Sequence, residues 1–420
     1  MNVIIKEANL CGDVIIPPSK SLSHRAIIAA SLANGESTIK NIMYSNDILA
    51  TIEAMKSLGA NIECFSDYVK IKGSKPKRIN NIIDANESGS TIRFLIPIAL
   101  TTDGFITFTG KNNLVNRPLD LFYEIFDKQN IKYDHPKDKF LPLNVYSKLK
   151  ASDYYIRGDV SSQFITGLLF ALPLLDGDSK IIVTTNLESK GYVDLTLDIL
   201  KKFGIDIINN NYESFIIKGN QEYKPMDYTV EGDYSQSAFF LVANMLGANI
   251  NLLNMNKDSL QGDKKILEDI KSFGGNIIFD DNILKANGSP KGTTIDFSQS
   301  PDLGPALTVL AALSEGHSSF INAERLRIKE CDRITSMAEE INKLGGKITE
   351  LKDGMEIDGS ILSGGVVSSH NDHRVAMSLS LIPIITKKEL KILDAGCVSK
   401  SYPNYWSVYE KLGGVVEYEK

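Results

Sequence analysis

The chain has 420 residues, 43% of them hydrophobic and 23% charged, with a formal net charge of −6. That length suits two or three domains with an ample core, and the acidic balance excludes a global basic field that would draw in nucleic acid or an anionic membrane surface. No stretch approaches the roughly 20 apolar residues of a membrane-spanning helix. The four cysteines (Cys11, Cys64, Cys331, Cys397) are scattered with no CxxC pair, and the opening "MNVIIKEANLCGDV" lacks a signal peptide's apolar core. Both features lead to the expectation of a cytoplasmic protein with reduced thiols.

In chain order, the first informative stretch is "IIPPSKSLSHRAIIAASLANG" (15–35). Pro17-Pro18 closes an extended run, Ser19 or Ser21 can cap a helix, and Ala26, Ile27, Ala30 and Leu32 supply its buried face. Gly35 fits a C-terminal stop. Lys20, Ser21 and Arg25 crowd the start of this helix, where the backbone dipole already favours an anion. A capped surface helix with solvated charges is the alternative reading.

A pattern of helix, apolar–Gly step, strand, polar turn and strand then recurs, as in "TIEAMKSLGANIECFSDYVKIKG" and "MAEEINKLGGKITELKDGMEIDG". The markers Gly59, Asn130, Gly204, Gly274, Gly345 and Gly413 are separated by 71, 74, 70, 71 and 68 residues. A second series of polar helix starts, at Ser21, Ser90, Ser162, Ser235, Gly304 and His373, runs in phase at intervals of 69, 72, 73, 69 and 69. Six units of strand, helix, strand, helix, strand, strand account for the chain, an α/β organisation. If the first helices of equivalent units pack in parallel, several positive helix ends face one place and offset the acidic net charge there.

The helix starts carry the candidate chemistry. "DANESGSTIRFL" (84–95) sets Gly89, Ser90 and Arg93 at one start, where a glycine permits close approach of a ligand to the backbone. "NRPLDL" (116–121) fixes Arg117 before a proline suited to begin a helix. "RGDVSSQFITG" (157–167) contributes Ser161, Ser162 and Gln163, and "ESKGYVDLT" (188–196) contributes Ser189, Lys190 and Tyr192. "SPDLGPALT" (300–308) places Asp302 as either an N-cap or a general base. In "RLRIKECDRITSMAEEI" (325–341), Lys329, Glu330 and Arg333 lie within five residues, with Arg327 nearby. The spacing of Glu330 and Arg333 predicts a shared helix face, and a plain surface ion pair is the alternative. "HNDHRVAMSLSL" (370–381) presents His373 and Arg374; His370 and His373 have HxxH spacing, but no further His or Cys cluster completes a zinc site. "CVSKSYPNYW" (397–406) offers Lys400. No GxGxxG between strand and helix, GxxxxGK[ST] or GxSxG occurs, which removes the usual nucleotide and hydrolase readings.

Taken in order, "PSKSLSHR", "ESGSTIR", "NRP", "GDVSSQF", "SKGY", "PDLGP", "RIKECDR", "NDHR" and "SKSYPNYW" make the full chain resemble the 5-enolpyruvylshikimate-3-phosphate synthases. The resemblance implies a two-domain inverse α/β barrel with six βαβαββ repeats, three per domain. Residues 16–230 would form the upper domain and 1–15 with 231–420 the lower, the active site lying in the interdomain cleft. It implies a monomer that joins 3-phosphoshikimate and phosphoenolpyruvate through a tetrahedral intermediate, with no metal, cofactor, nucleic acid or membrane partner.

Motif by motif, Lys20, Ser21, Arg25, Ser161, Ser162, Gln163, Ser189, Asp302 and Lys329 would hold 3-phosphoshikimate. Lys20, Gly89, Arg117, Gln163, Arg333, Arg374 and Lys400 would hold phosphoenolpyruvate, the site at which glyphosate competes. Asp302, Glu330 and Lys20 would be catalytic. The UDP-N-acetylglucosamine enolpyruvyl transferases share this fold, but commonly have Lys-Asn where this chain has Lys20-Ser21 and a cysteine where "FTGKNNLVNRP" has none. A silent anion-binding repeat protein is the other alternative, disfavoured because a mere binder needs no carboxylates among its cations.

Overall fold

The computed structural model describes residues 1–6, 9–280 and 283–419. The chain divides into two compact units, Met1–Pro17 with Glu231–Lys420, and Pro18–Val230. Among the described residues each unit holds three four-stranded sheets, and all six share one order. The strand before the first helix pairs parallel with the strand after it, and that strand pairs antiparallel with the far strand of the closing hairpin. Ile82–Asp84, Ile106–Thr109, Leu143–Val145 and Tyr133–Asp134 form one such sheet, and Thr294–Asp296, His317–Ile321, Gly354–Asp358 and Lys347–Leu351 another.

Chemistry sets the two kinds of helix apart. The first helix of a repeat is apolar almost all round and is buried: every residue of Tyr234–Met245 and of Gly304–Ala312 is buried. The second helices, such as Asn46–Ser57 and Arg333–Lys343, bury one face only. They end where the six sequence markers lie, at residues with φ from +54° (Asn130) to +101° (Gly413). That left-handed turn is cheap for glycine and tolerable for asparagine, so the marker reports a real helix terminator. Strands such as Tyr68–Gly73 alternate buried and exposed residues, one face turned to the helices.

Three sheets borrow a strand from a distant part of the sequence. Cys11–Ile15 runs directly into the helix Lys20–Leu32 but pairs parallel with Asn249–Leu253, Val14 opposite Leu252. Its place beside Gly35–Lys40 is taken by Tyr228–Thr229. The last repeat stops after Val416–Glu419, and Asn2–Ile5 supplies its missing strand.

Two local expectations are corrected. Gly35 does not stop the first helix; Ala33 ends it in an extended conformation and Gly35, at φ +147°, opens the next strand. Pro118 does not begin a helix: Arg117 closes the short turn Asn112–Asn116, and the helix starts at Asp120.

Within Pro18–Val230, the helices Gly89–Ala99 and Ser162–Ala171 pack at unusually short range. Pro97 lacks the N–H that the Arg93 carbonyl would accept, and Gly167 lies against that carbonyl, where a β-carbon would fall 2.2 Å from the oxygen. This approach fixes the starts of both helices relative to each other.

Candidate active site

In the unit Pro18–Val230, Ser19 caps the first helix by accepting the Leu22 amide at 3.4 Å, which makes Lys20 the first helical residue. Lys20 Nζ donates to Asp47 Oδ2 at 2.8 Å, and Asp47 is 4% exposed in the first turn of Asn46–Ser57. Arg25 is buried. Its Nη1 donates to the Ser21 carbonyl at 2.7 Å, its Nε to Thr196 Oγ1 at 2.9 Å and its Nη2 to the Tyr192 carbonyl at 2.9 Å. Burial lowers the Arg25 pKa to about 10.

Thr196 and Tyr192 belong to the helix Lys190–Lys202, which begins after Ser189 at φ +55°. A left-handed residue other than glycine costs about 1–2 kcal/mol, and such strain collects at binding sites.

Ser88 caps the helix Gly89–Ala99 by accepting the Thr91 amide at 3.1 Å. The Arg117 guanidinium packs on Gly89. Ser161 caps the next helix through the Gln163 amide at 3.3 Å, and Ser162 is its first residue. Gln163 donates from Nε2 to Ser90 Oγ at 3.0 Å and accepts at Oε1 from Arg93 Nη1 at 2.9 Å. Arg93 Nη2 donates to the Pro118 carbonyl at 3.0 Å. One buried arginine therefore ties together the stretches that carry Gly89, Arg117 and Gln163. The motifs alone give Arg93 a place at its helix start and no role.

In the unit containing residues 231–420, Asp302 lies in the turn Pro301–Leu303 ahead of the helix Gly304–Ala312. It is not an N-cap. Its Oδ1 accepts from Lys329 Nζ and Arg333 Nη1, both at 3.2 Å, and its Oδ2 from Arg374 Nη2 at 3.0 Å. Burial would raise the Asp302 pKa, but Arg374, Lys329 and Arg333 together outweigh it and hold the carboxyl well below its ordinary value. Burial lowers the Lys329 pKa to about 8 against the pull of Asp302.

Glu330 is an ion-pair partner of Arg333 (Oε2 to Nη2, 2.7 Å) but shares no helix face with it, because the helix begins only at Arg333, after the cap Asp332. Lys400 Nζ lies 3.9 Å from Glu330 Oε1. Arg374 Nη2 also donates to Ser235 Oγ at 3.0 Å. Arg327 drops out of the cation count, since Asp332 and Glu350 pair with it at 2.7 and 2.8 Å.

Each unit thus gathers its own share of the expected residues. Asp302, Lys329, Glu330, Arg333, Arg374 and Lys400 form one ion-pair cluster; Ser21 and Arg25 meet the helix after Ser189, Gly89 meets Arg117, and Ser90 meets Gln163. Sequence reading missed Asp47, Thr196, Ser235 and Asp372 as partners. Of these only Asp372 stood inside a motif used for the resemblance, and Asp47 carries no signal beyond its place in a helix's first turn.

Among the described residues, Glu339, Glu340 and His370 could together hold a metal ion. The Lys343 ammonium sits on both carboxylates, at 3.0 and 2.9 Å, and His370 Nε2 lies 2.6 Å from Glu340 Oε1. His373, its HxxH mate, is not in that group.

The site thus belongs to an α/β protein whose capped helix starts carry Lys, Arg, Ser and Gln donors in one unit and whose other unit sets four cations around Asp302, Glu330 and Asp372. The chain belongs to the EPSP synthase family: the profile described as EPSP synthase (3-phosphoshikimate 1-carboxyvinyltransferase) matches residues 4–409. The 3-phosphoshikimate 1-carboxyvinyltransferase of Clostridium perfringens (strain SM101 / Type A) is 53% identical over 99% of both chains. That of Clostridioides difficile (strain 630) is 52% identical over 98% of each. The EPSP synthase structure from Acinetobacter baumannii, at 24% identity, has the same two-domain inverse α/β barrel fold, with a TM-score of 0.82 over 100% of both chains.

Proposed function

We propose that this chain transfers the carboxyvinyl group of phosphoenolpyruvate to the 5-hydroxyl of 3-phosphoshikimate and releases inorganic phosphate, the step of the shikimate pathway carried out by its family. The observation that carries the reading is the Asp302 carboxylate ringed by Lys329, Arg333 and Arg374 at 3.0–3.2 Å. Three cations keep Asp302 ionised and ready to accept a hydroxyl proton, and its strength as a base rises once the substrate anions draw those cations to themselves.

Asp302 accepts the 5-hydroxyl proton as the oxygen attacks carbon 2 of phosphoenolpyruvate. Glu330 delivers a proton to the methylene carbon, which completes the tetrahedral intermediate. Glu330 then takes a proton back from the new methyl group as the carbon–oxygen bond to phosphate breaks. Lys20 and Lys400 are the candidates to protonate the departing phosphate.

Lys20, Ser21, Arg25, Ser161, Ser162, Gln163, Ser189, Asp302 and Lys329 hold 3-phosphoshikimate. Lys20, Gly89, Arg117, Gln163, Arg333, Arg374 and Lys400 hold phosphoenolpyruvate. Bidentate arginine forks suit the carboxylate and phosphate groups of both. The reading requires both units to serve one pair of substrates, and it takes the protein to be a cytoplasmic monomer needing no cofactor. No helix among the described residues is long and apolar enough to cross a membrane.

Phosphate release measured with phosphoenolpyruvate and 3-phosphoshikimate, against phosphoenolpyruvate and UDP-N-acetylglucosamine, tests the assignment. Release with the first pair alone is expected. Release with the nucleotide sugar, or binding of 3-phosphoshikimate without turnover, would overturn it.

A further inference from the structure

We propose that Asp372 is a positioning residue that sets Arg333 and Arg374 in one frame so that the pair can clamp phosphoenolpyruvate. The proposal rests on the assignment of those two arginines to phosphoenolpyruvate given above.

Arg333 faces three carboxylates, and they are not equivalent. Asp302 and Glu330 have side chains 22% and 12% exposed, whereas the Asp372 side chain is 0% exposed. Asp372 takes the inner edge of the guanidinium, with Oδ2 accepting from Nε at 2.8 Å and Oδ1 from Nη2 at 3.3 Å. The outer donors go to the two partly exposed carboxylates, Nη1 to Asp302 and Nη2 to Glu330, so an anion that displaces those carboxylates meets these donors first. Burial opposes the charge on Arg333. Asp372 supplies the largest attraction against it, ahead of Glu330 and Asp302, and together they keep the guanidinium protonated well above the ordinary arginine range.

The same carboxylate governs the second arginine through the backbone. Asp372 Oδ1 accepts the Arg374 amide at 2.8 Å and so caps the helix His373–Leu379. The side chain of Arg374 leaves that capped turn to reach Asp302 Oδ2 and Ser235 Oγ, each at 3.0 Å. One buried acid thus holds the side chain of one arginine, 39 residues away in sequence, and the main chain of the other, on the helix it caps. A flexible arginine loses rotamer freedom when it clamps an anion, and holding its inner edge in advance removes part of that loss. Asp372 itself is shut away from any ligand, so its action passes through the arginines.

Asparagine separates the two tasks. Asp372→Asn keeps a good helix cap and the side-chain size, but it loses the charge and offers one acceptor to a guanidinium edge with two donors. In the phosphate-release assay, KM for phosphoenolpyruvate is expected to rise about tenfold or more, since a 1 Å misplacement can cost on the order of 10²-fold. KM for 3-phosphoshikimate is expected to stay within about twofold, as the Asp372 contacts involve no residue assigned to that substrate alone. Combined with Arg333→Gln, Asp372→Asn is expected to add little to the rise seen with Arg333→Gln, because the two act as a unit.

If Asp372→Asn does not fold, Asp372→Glu keeps the charge and displaces Arg333 by one methylene, and the same split in KM is expected. An unchanged KM for phosphoenolpyruvate, or an equal rise for both substrates, in the folded variant overturns the proposal. A wild-type protein that releases no phosphate from this pair overturns the functional assignment instead, which keeps the two failures distinct.

Discussion

The Arg117 guanidinium lies so close over Gly89 that a β-carbon on residue 89 would fall 2.7 Å from its Nη1 and 2.9 Å from its Cζ. Any larger residue here must push the flexible Arg117 side chain aside. Gly89→Ala is expected to displace Arg117, raise KM for phosphoenolpyruvate and weaken inhibition by glyphosate, while KM for 3-phosphoshikimate changes little. Inhibition curves and the two KM values check this; unchanged inhibition would remove Gly89 from the phosphoenolpyruvate site.

Asp302 competes with any incoming anion for Arg333 and Arg374, its partners at 3.2 and 3.0 Å. Asp302→Asn should release those arginines, so that phosphoenolpyruvate binds at least as well as before. Turnover should nevertheless fall by about 10²–10⁴-fold, the usual worth of a general base. Glu330→Gln is expected to behave alike in turnover. Ligand titration beside single-turnover phosphate release separates the two effects, and near-wild-type kcat in either variant would remove that residue from the chemistry.

Lys329 titrates near pH 8 because burial lowers its pKa. It must be an ammonium to hold the phosphate of 3-phosphoshikimate, so kcat/KM for that substrate is expected to decline as pH rises through about 8, the free enzyme's value for this group. Lys329→Arg, which does not titrate in that range, should push the alkaline limb higher. A limb left unmoved by the arginine would assign it to another group.

Lys20→Met is expected to abolish activity. It also strands Asp47, 4% exposed, without the ammonium now 2.8 Å away. A buried carboxylate left without its ion-pair partner costs about 3–5 kcal/mol, visible as a lower Tm. The double variant Lys20→Met with Asp47→Asn should recover the Tm and stay inactive. Recovery of activity would make the lysine's role structural.

His24 is fully buried, with Nδ1 at 2.7 Å from Thr51 Oγ1, and burial lowers its pKa to about 3. The unfolded chain takes up this proton near 6.5 and the folded chain near 3, so the stability is complete above 6.5 and is lost as pH falls between those values. Between pH 7.5 and 4.5 the loss amounts to about 2–3 kcal/mol. Denaturant unfolding at both pH values should show a smaller loss in His24→Phe; an equal loss would show that His24 charges in the folded state or contributes nothing.

The candidate site was legible wherever a short motif sits on a helix start. Ser19 as a cap, Gly89 and Ser162 at helix starts, and Arg374 just inside its helix follow from local rules. The partners of those residues were not legible. Asp47 contacts Lys20 across 27 residues and Thr196 contacts Arg25 across 171, and no local rule pairs side chains at such distances. The misplaced helix face of Glu330 came from reading an i,i+3 spacing as helical when Asp332, two residues after Glu330, is the cap that starts the helix.

The sequence by itself determined the six repeats, because each second helix ends at a residue tolerant of positive φ and the first helices are apolar enough to be buried. It also determined which residue types stand at the helix starts. Only the tertiary structure decided that Cys11–Ile15 joins Asn249–Leu253 and that Asn2–Ile5 completes the final sheet. It alone decided, too, that one buried aspartate, Asp372, governs two arginines. Helix caps and hydrophobic periods act within a few residues, whereas strand exchange and ion-pair geometry depend on which distant surfaces bury each other.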